Sequence, residues 1–490
     1  MSQRFFLLTA GSNARGQLGI GHEDDAHQWT STTQQAEPGP EAGAGFPPLG
    51  SRVVDLAGGA NHTVALIEDL TSGERTLWGT GDASQGQLGP HLQANGDAVS
   101  KFTRISDVVE LFAGVNKGAK RRPQLIASAW ESTYLALAGF NQEDDILVSL
   151  GSTNDFGQLG VEDAVKAGNH ANQIDLRHVL EPANCAEGSC QLGRIEIVKL
   201  SAGVRHACAV IRAETVLTPE GPSPDPGRTD RARRFWTYLL GWGAARHGQL
   251  QSISADLDST AVKPPRACST PIVMATWDGS VAIDVQCGRD HSVVLIANSK
   301  YEAGSTPGNI LVTLGSDRQH QSPFHPKLPP RSTLSSIQSV ATMWNTTLTL
   351  VQTENRQHID AWGAASRGQA GSNTTTSATV EGQAVETSKI LSGDATILKM
   401  VAGSEHALLL LRTSSLERAP KEVWAWGWTE HGNLPVDDRN DPDDDVQIIW
   451  SPERIWPASG ALPSIPAHGE AERIWAGCAT TFLQISIPYH

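Results

Sequence analysis

Apolar and polar residues alternate in short runs along almost the whole chain, as in TLWGTG from Thr76, EVWAWG from Glu422 and RIWAGCATTFLQISI from Arg473. Turn-forming glycine, asparagine, aspartate and serine bound these runs, a pattern that reads as short strands joined by tight turns. The recurring unit is a short alternating strand, a glycine turn, a second strand ending in aliphatic residues, a variable hairpin loop and a third strand. That unit is an antiparallel meander, and its recurrence predicts an all-β protein.

The recurrence is explicit. AGSNARGQLG from Ala10, GTGDASQGQLG from Gly79, LGSTNDFGQLG from Leu150, GWGAARHGQL from Gly241, WGAASRGQAG from Trp362 and WGWTEHGNL from Trp426 are variants of one turn. LGSDRQHQ from Leu314 is a seventh, read as having lost its second glycine to Gln321. Between these turns lies a second element: DLAGGANHTVAL from Asp55, KLSAGVRHACAV from Lys199, VQCGRDHSVVL from Val285 and MVAGSEHALLL from Met400, with weaker copies at Ala127, Ala341 and Trp475. Seven copies of each predict a seven-bladed β-propeller. The chain opens on a lone third strand, FFLLTAG, and closes on a lone first pair, so pairing of N- and C-terminal strands is expected to complete one blade and close the ring. Residues 1–490 are therefore expected to form one domain. Trp78, Trp242, Trp362, Trp424 and Trp426, on or beside third strands, are expected to fill the wedges between sheets. Stretches rich in Pro, Gly, Ser, Thr and Asp at 37–50, 219–234, 322–332, 372–388 and 435–445 are expected to be disordered loops.

Glycine, 47 residues, is about a tenth of the chain against a usual share of roughly 7%, as many tight turns require. No apolar run approaches the roughly 20 residues of a membrane helix, and MSQRFFLLTAGSN does not read as a signal peptide. The six cysteines, mostly isolated in strand-like runs, suggest a reducing compartment. The sequon-like Asn61-His62-Thr63 and Asn345-Thr346-Thr347 sit in similar runs, where a glycan has no room. Cytoplasm or nucleus is the expected location. A net charge of -15 disfavours direct binding to DNA.

The GSNxxGQLG turn alternating with GxxHT resembles the regulator of chromosome condensation repeat family over essentially the whole chain. GSNARGQLGIGHEDD, GSEHALLL followed by VWAWGWTEHGN, and AGCATTFL are similar to the alpha-tubulin suppressor, or killer-toxin-insensitivity, branch of that family. The resemblance implies a heterodimer with a small zinc-binding diphthamide biosynthesis protein. That partner serves diphthamide synthesis on elongation factor 2 and Elongator-dependent modification of wobble uridines in tRNA. This chain would be its non-catalytic, regulatory half, without a cofactor and linked only indirectly to the Elongator complex. The extra loops, and Pro435 where the turn usually has glycine, depart from the pattern. The family also suggests an alternative, a guanine nucleotide exchange factor for a small nuclear GTPase. The acidic charge and a first strand entered at Phe5 without a basic tail weigh against it.

Chemistry of other kinds finds little in the sequence. His62, His206, His291 and His406 recur at one repeat position, which fits a buried histidine bonded to a neighbouring blade better than a metal constellation. Cys185 and Cys190 lack a second pair at zinc spacing, and the aspartates between Asp437 and Asp445 lack the order of a calcium loop. Lys117, Lys120, Arg121 and Arg122 read as a solvated basic run. No phosphate loop, nucleophile elbow or catalytic triad pattern is present, so no enzyme is expected. The candidate partner-binding residues are Glu405, Trp428, Glu430 and His431 in the family-specific segments, with Trp130 and Trp344 where the repeat usually has small or polar residues. Aromatic side chains beside charges are characteristic of binding hot spots. Plugging of the central channel is the competing role for the tryptophans.

Overall fold

A computed structural model of the chain describes residues 2–35, 45–94, 98–112, 121–140, 143–162, 170–184, 190–217, 233–253, 263–281, 283–297, 309–323, 337–353, 356–388, 390–391, 394–416, 418–436, 447–458 and 469–489. The strands form seven antiparallel sheets, the blades of an all-β propeller. The first blade runs outward from the axis as Ser51–Gly58, His62–Asp69, Arg75–Gly81 and Val99–Arg104. The second is Arg122–Ser128, Thr133–Ala138, Ile146–Leu150 and Ala171–Ile174; the third is Cys190–Ala202, His206–Leu217, Arg233–Ala244 and Ala267–Asp278. Ile283–Cys287, His291–Ile296 and Ile310–Gly315 make the fourth, which has three strands among the described residues. The fifth is Ile337–Thr342, Thr346–Gln352, Gln357–Ala364 and Thr379–Ala384; the sixth is Thr396–Ala402, His406–Arg412, Lys421–Trp428 and Ile448–Trp456. In the seventh, Glu470–Ala476 and Thr480–Tyr489 are followed by Ser2–Gly11 and Ala26–Ser31. The pairing of Ser2 with Tyr489 through to Gly11 with Thr480 closes the ring as the chain ends had suggested.

Six blades carry a fourth, outer strand that the three-strand reading omitted. One of these, Thr379–Ala384, lies inside 372–388, so that expected loop is corrected: it is ordered sheet, and Ser372 at its start is buried. Outer strands have one free edge, so their apolar alternation is weak and polar sequences serve. Of the other expected loops, 37–44, 219–232, 324–332 and 437–445 lie outside the described residues, as do Lys117, Lys120, Cys185 and the aspartates at 437–445. Phe46, within the first loop, is buried and stacks on Phe102 at 4.0 Å, an ordered packing residue. Arg121 and Arg122 are not simply solvated: they pair with Glu143 and Glu68 at 3.4 and 3.5 Å. Asn61 is exposed at a loop tip, so the expectation that a glycan has no room there is corrected.

The core lies between neighbouring sheets. Tyr134 from the second blade shares one buried cluster with Ile197, Ile211, Tyr238 and Trp242 from the third, with the Tyr134 and Trp242 rings edge to face at 5.3 Å. Trp78, Trp242 and Trp426 are buried as expected, and each large apolar side chain so placed contributes roughly 1.5–3 kcal/mol. The indoles of Trp242 and Trp426 donate to the carbonyls of Gln158 and Gln369 in the preceding blade's turn, both at 3.1 Å. Trp362 and Trp424 depart from expectation: they are only half-buried, although they share the alternation phase of the fully buried Trp242 and Trp426.

Six of the seven turns are held by their own glutamine; the sixth blade's turn has Asn433 there, whose side-chain N–H donates to the Trp428 carbonyl at 3.0 Å. Gln17, Gln87, Gln158, Gln249, Gln321 and Gln369 are buried, and each accepts the main-chain N–H two residues earlier at 2.8 to 3.0 Å. This corrects the reading of the degenerate turn: Gln321 is the retained glutamine, and the lost glycine is replaced by His320, which keeps a φ of 60°. In five of the other six turns this glycine lies against a neighbouring segment of sheet; a Cβ on Gly86 would come within 2.6 Å of His170, and one on Gly157 within 2.6 Å of Ser269, whereas Gly248 faces Gln251 of its own turn. His320 instead reaches out to Glu381 of the next blade at 2.8 Å.

The repeat histidines do bond the neighbouring blade. Nε2 of His62 meets the Thr133 hydroxyl and that of His206 the Ser292 hydroxyl at 3.0 Å, while His291 meets Thr347 and His406 meets Thr481 at 3.2 Å. Burial holds the imidazolium forms of His62 and His406 down to about 4 and that of His291 to about 3, so these rings are neutral links between sheets.

Candidate functional site

The loop before each repeat histidine and the glycine turn after each third strand emerge on the same face, because the histidine position pairs with the third strand's last glycine, as His62 with Gly81 and His406 with Gly427. Every candidate residue lies on one of these two loop types and hence on this face. At its centre, Trp130 of the second blade and Trp344 of the fifth meet across the ring with centroids 5.7 Å apart and planes at 45°. Loops of all seven blades, including Ala60, Val204, Gly288 and Cys478, line the small axial cavity of about 130 Å³ beside them. The tryptophans narrow the channel mouth, yet Trp130 remains 37% exposed, so a partner can reach it.

Trp428 and Glu405 form a second centre in the sixth blade. The main-chain N–H of Trp428 donates to the Glu405 carbonyl at 3.0 Å, and Gly427, at a φ of 113°, allows that approach. A Cβ on Gly427 would sit 2.4 Å from the Glu405 oxygen. Arg367, from the fifth blade's turn, lies over the Trp428 ring at 3.9 Å and pairs with the buried Glu405 carboxylate. Burial raises the Glu405 carboxyl above its usual range, with the Arg367 guanidinium opposing it and the Glu430 charge adding to the rise. Glu430 is exposed at the turn tip. His431 bonds Asp25 of the seventh blade, Nδ1 to Oδ2, at 2.9 Å, and the same carboxylate accepts the Asn13 N–H at 2.7 Å.

The two centres adjoin. The Trp344 N–H donates to the Ser404 carbonyl at 2.9 Å, next to Glu405, and the Arg289 N–H donates to the Trp344 carbonyl at 2.9 Å. Arg367, Asp25 and Arg289 complete the constellation and were missed by sequence reasoning. A signal existed for Arg367: it precedes the turn's second glycine, the position that also carries His431 in the next turn. Asp25 and Arg289 had none, since their partners come from other blades.

No family model matches the chain. An RCC1 repeat-containing protein of Schizosaccharomyces pombe is 23% identical over 445 residues, covering 89% of this chain and 91% of that protein. The secretion-regulating guanine nucleotide exchange factor of Bos taurus is 23% identical over 469 residues, 92% of this chain and 78% of the factor. The ultraviolet-B receptor UVR8 of Arabidopsis thaliana is 24% identical over 275 residues, 56% of this chain and 49% of the receptor. The Schizosaccharomyces pombe relative is named for RCC1 repeats, the repeat that the turns and histidine loops of this chain resemble.

Proposed function

We propose that this chain is a non-catalytic, protein-binding propeller and the regulatory half of a heterodimer with the small zinc-binding diphthamide biosynthesis protein, as in the alpha-tubulin suppressor branch that its WGWTEHGN and GCATT segments resemble. In this role it serves diphthamide synthesis on elongation factor 2 and, through the partner, Elongator-dependent wobble uridine modification, as one domain in the cytoplasm or nucleus. The observation that carries the reading is the Arg367–Trp428–Glu405 stack beside His431, an aromatic centre ringed by charge on an accessible face. The stack is held in place by turns from three blades, so a partner would meet a preformed surface.

Co-purification of the full chain with the zinc-binding protein, followed by size-exclusion chromatography, tests it. Co-elution of wild type is expected, with loss of co-elution in a folded Trp428→Ala/His431→Ala variant. Separate elution of the wild type at micromolar concentration would sink the heterodimer. A second reading, a guanine nucleotide exchange factor, draws on the bovine relative, whose similarity spans 92% of this chain. Faster nucleotide release from a small nuclear GTPase in the presence of this chain would favour it instead.

A further inference from the structure

A second hollow of about 290 Å³, sharing Trp130 and Trp344 with the axial mouth, opens on the same face among the second to fifth blades. Its walls include Trp130, Phe156, Arg205, Arg246, Arg289 and Trp344. We propose that this hollow captures an acidic peptide segment presenting an aromatic side chain between carboxylates. The proposal rests on reading this face as protein-binding, but not on the identity of the protein docked at Trp428.

The local charge is opposite to that of the molecule. On a chain of net charge -15, three exposed arginines converge here against one lining carboxylate, Asp290. Their donors are largely unspent. Arg205 lies over the Phe156 ring at 4.7 Å, an arrangement that leaves its N–H groups available. Arg246 Nε donates to His247 Nε2 at 2.9 Å, and Arg289 is 3.9 Å from Asp290, beyond hydrogen-bond range. Among the described residues, neither Arg205 nor Arg246 has a carboxylate within 4.0 Å. A guanidinium fork matches a carboxylate in two parallel hydrogen bonds. The tilted Trp130 and Trp344 rings offer an incoming ring an offset or edge-on contact.

The hollow is also preformed. Phe156 and the Arg246–His247 pair stand on turns whose main-chain N–H groups are held by buried Gln158 and Gln249 at 2.9 and 3.0 Å. Trp130 is tied by its N–H to Val204 at 3.1 Å, and Arg289 by its own to Trp344 at 2.9 Å. The volume suits one aromatic residue with its flanking acids rather than a large ligand. A nucleic-acid strand also carries anions and rings, but its continuous phosphates would meet an acidic protein beyond the hollow.

Isothermal titration calorimetry of the full chain with acetyl-Asp-Glu-Phe-Asp-Glu-amide tests the proposal. Saturable binding is expected, weakened about tenfold or more by Arg246→Glu, by Arg289→Glu, and by alanine in place of the peptide's phenylalanine. Circular dichroism establishes that these surface variants are folded. Absence of saturable binding, an affinity unchanged in both arginine variants, or tighter binding of a ten-residue oligothymidylate would overturn it. Peptide binding without co-elution of the zinc-binding protein would leave the hollow assigned and remove the heterodimer; co-elution without peptide binding would do the reverse.

Discussion

The glycine three residues before each repeat histidine is required by the histidine itself. A Cβ on Gly59 would lie 2.2 Å from His62 Cε1, and one on Gly288 would lie 2.1 Å from His291 Cε1. Where Ser132 and Thr346 replace the histidine, the glycine has become Ala129 and Met343, both buried, whereas Gly477 is kept ahead of Thr480, whose Oγ1 would lie 2.6 Å from a Cβ there. Gly288→Ala is expected to cost about 1–3 kcal/mol, as overpacked sites do, and Gly288→Ala/His291→Ser to cost less than the sum of its single changes. Urea unfolding of the four proteins measures this coupling; additive effects would refute it. The histidines also set an acid limit. Because burial depresses their folded values to about 3 or 4 while the unfolded chain titrates near 6.5, the unfolded state binds more protons between those values. Stability is therefore full above about pH 6.5 and falls as pH drops toward 4, by up to roughly 3 kcal/mol for each ring. The urea midpoint is expected to be lower at about pH 5 than at pH 7, with a smaller difference in His62→Gln; equal midpoints in wild type would contradict the linkage.

Among the elements, the glycine turn carries most of the functional surface and, in six of the seven blades, stands on its glutamine. Gln369→Ala would remove the partner of the Arg367 N–H, at a cost of about 1 kcal/mol, and would loosen the Arg367 side chain over Trp428. Denaturant unfolding reads the first effect and affinity for the zinc-binding protein the second; an unchanged stability would show that the turn holds without its cap. The inner strands show a feature that alternation alone does not announce. Their pairing with the second strand slips between Val53 and Asp55, Pro123 and Leu125, Ile197 and Lys199, Ile337 and Ser339, Ile397 and Lys399, and Ala471 and Arg473. Such bulges place two successive residues out of the regular two-residue period. Asp55 and Lys399, from different blades, follow two such slips and sense each other's charge; burial raises the first and lowers the second. A strict period-two reading puts one of each successive pair on the wrong side.

The whole molecule depends on the seventh blade, whose halves come from opposite ends of the described chain. Ser2–Gly11 covers the edge of Thr480–Tyr489 with ten paired residues. Deleting that strand would expose an edge in the ring, and an exposed edge recruits other chains. Loss of a single cooperative thermal transition and a shift to larger species by light scattering are expected; a monomer with unchanged melting would argue against closure as the source of stability.

Strand, turn and repeat were legible because local chemistry dictates them: alternation marks half-buried strands, glycine marks positive φ, and seven turns alternating with seven copies of a second loop, four of them with the histidine, imply seven blades. Trp130, Trp344, Glu405, Trp428, Glu430 and His431 were legible as unusual residues at known loop positions. Their partners were not. Arg367, Asp25 and Arg289 join them only because the ring folds separate repeats onto one face, and the hollow of Trp130, Phe156, Trp344 and three arginines draws on four blades. A contact within a repeat is written in adjacent residues, whereas a contact between blades depends on the tilt and closure of the sheets, which only the assembled ring decides.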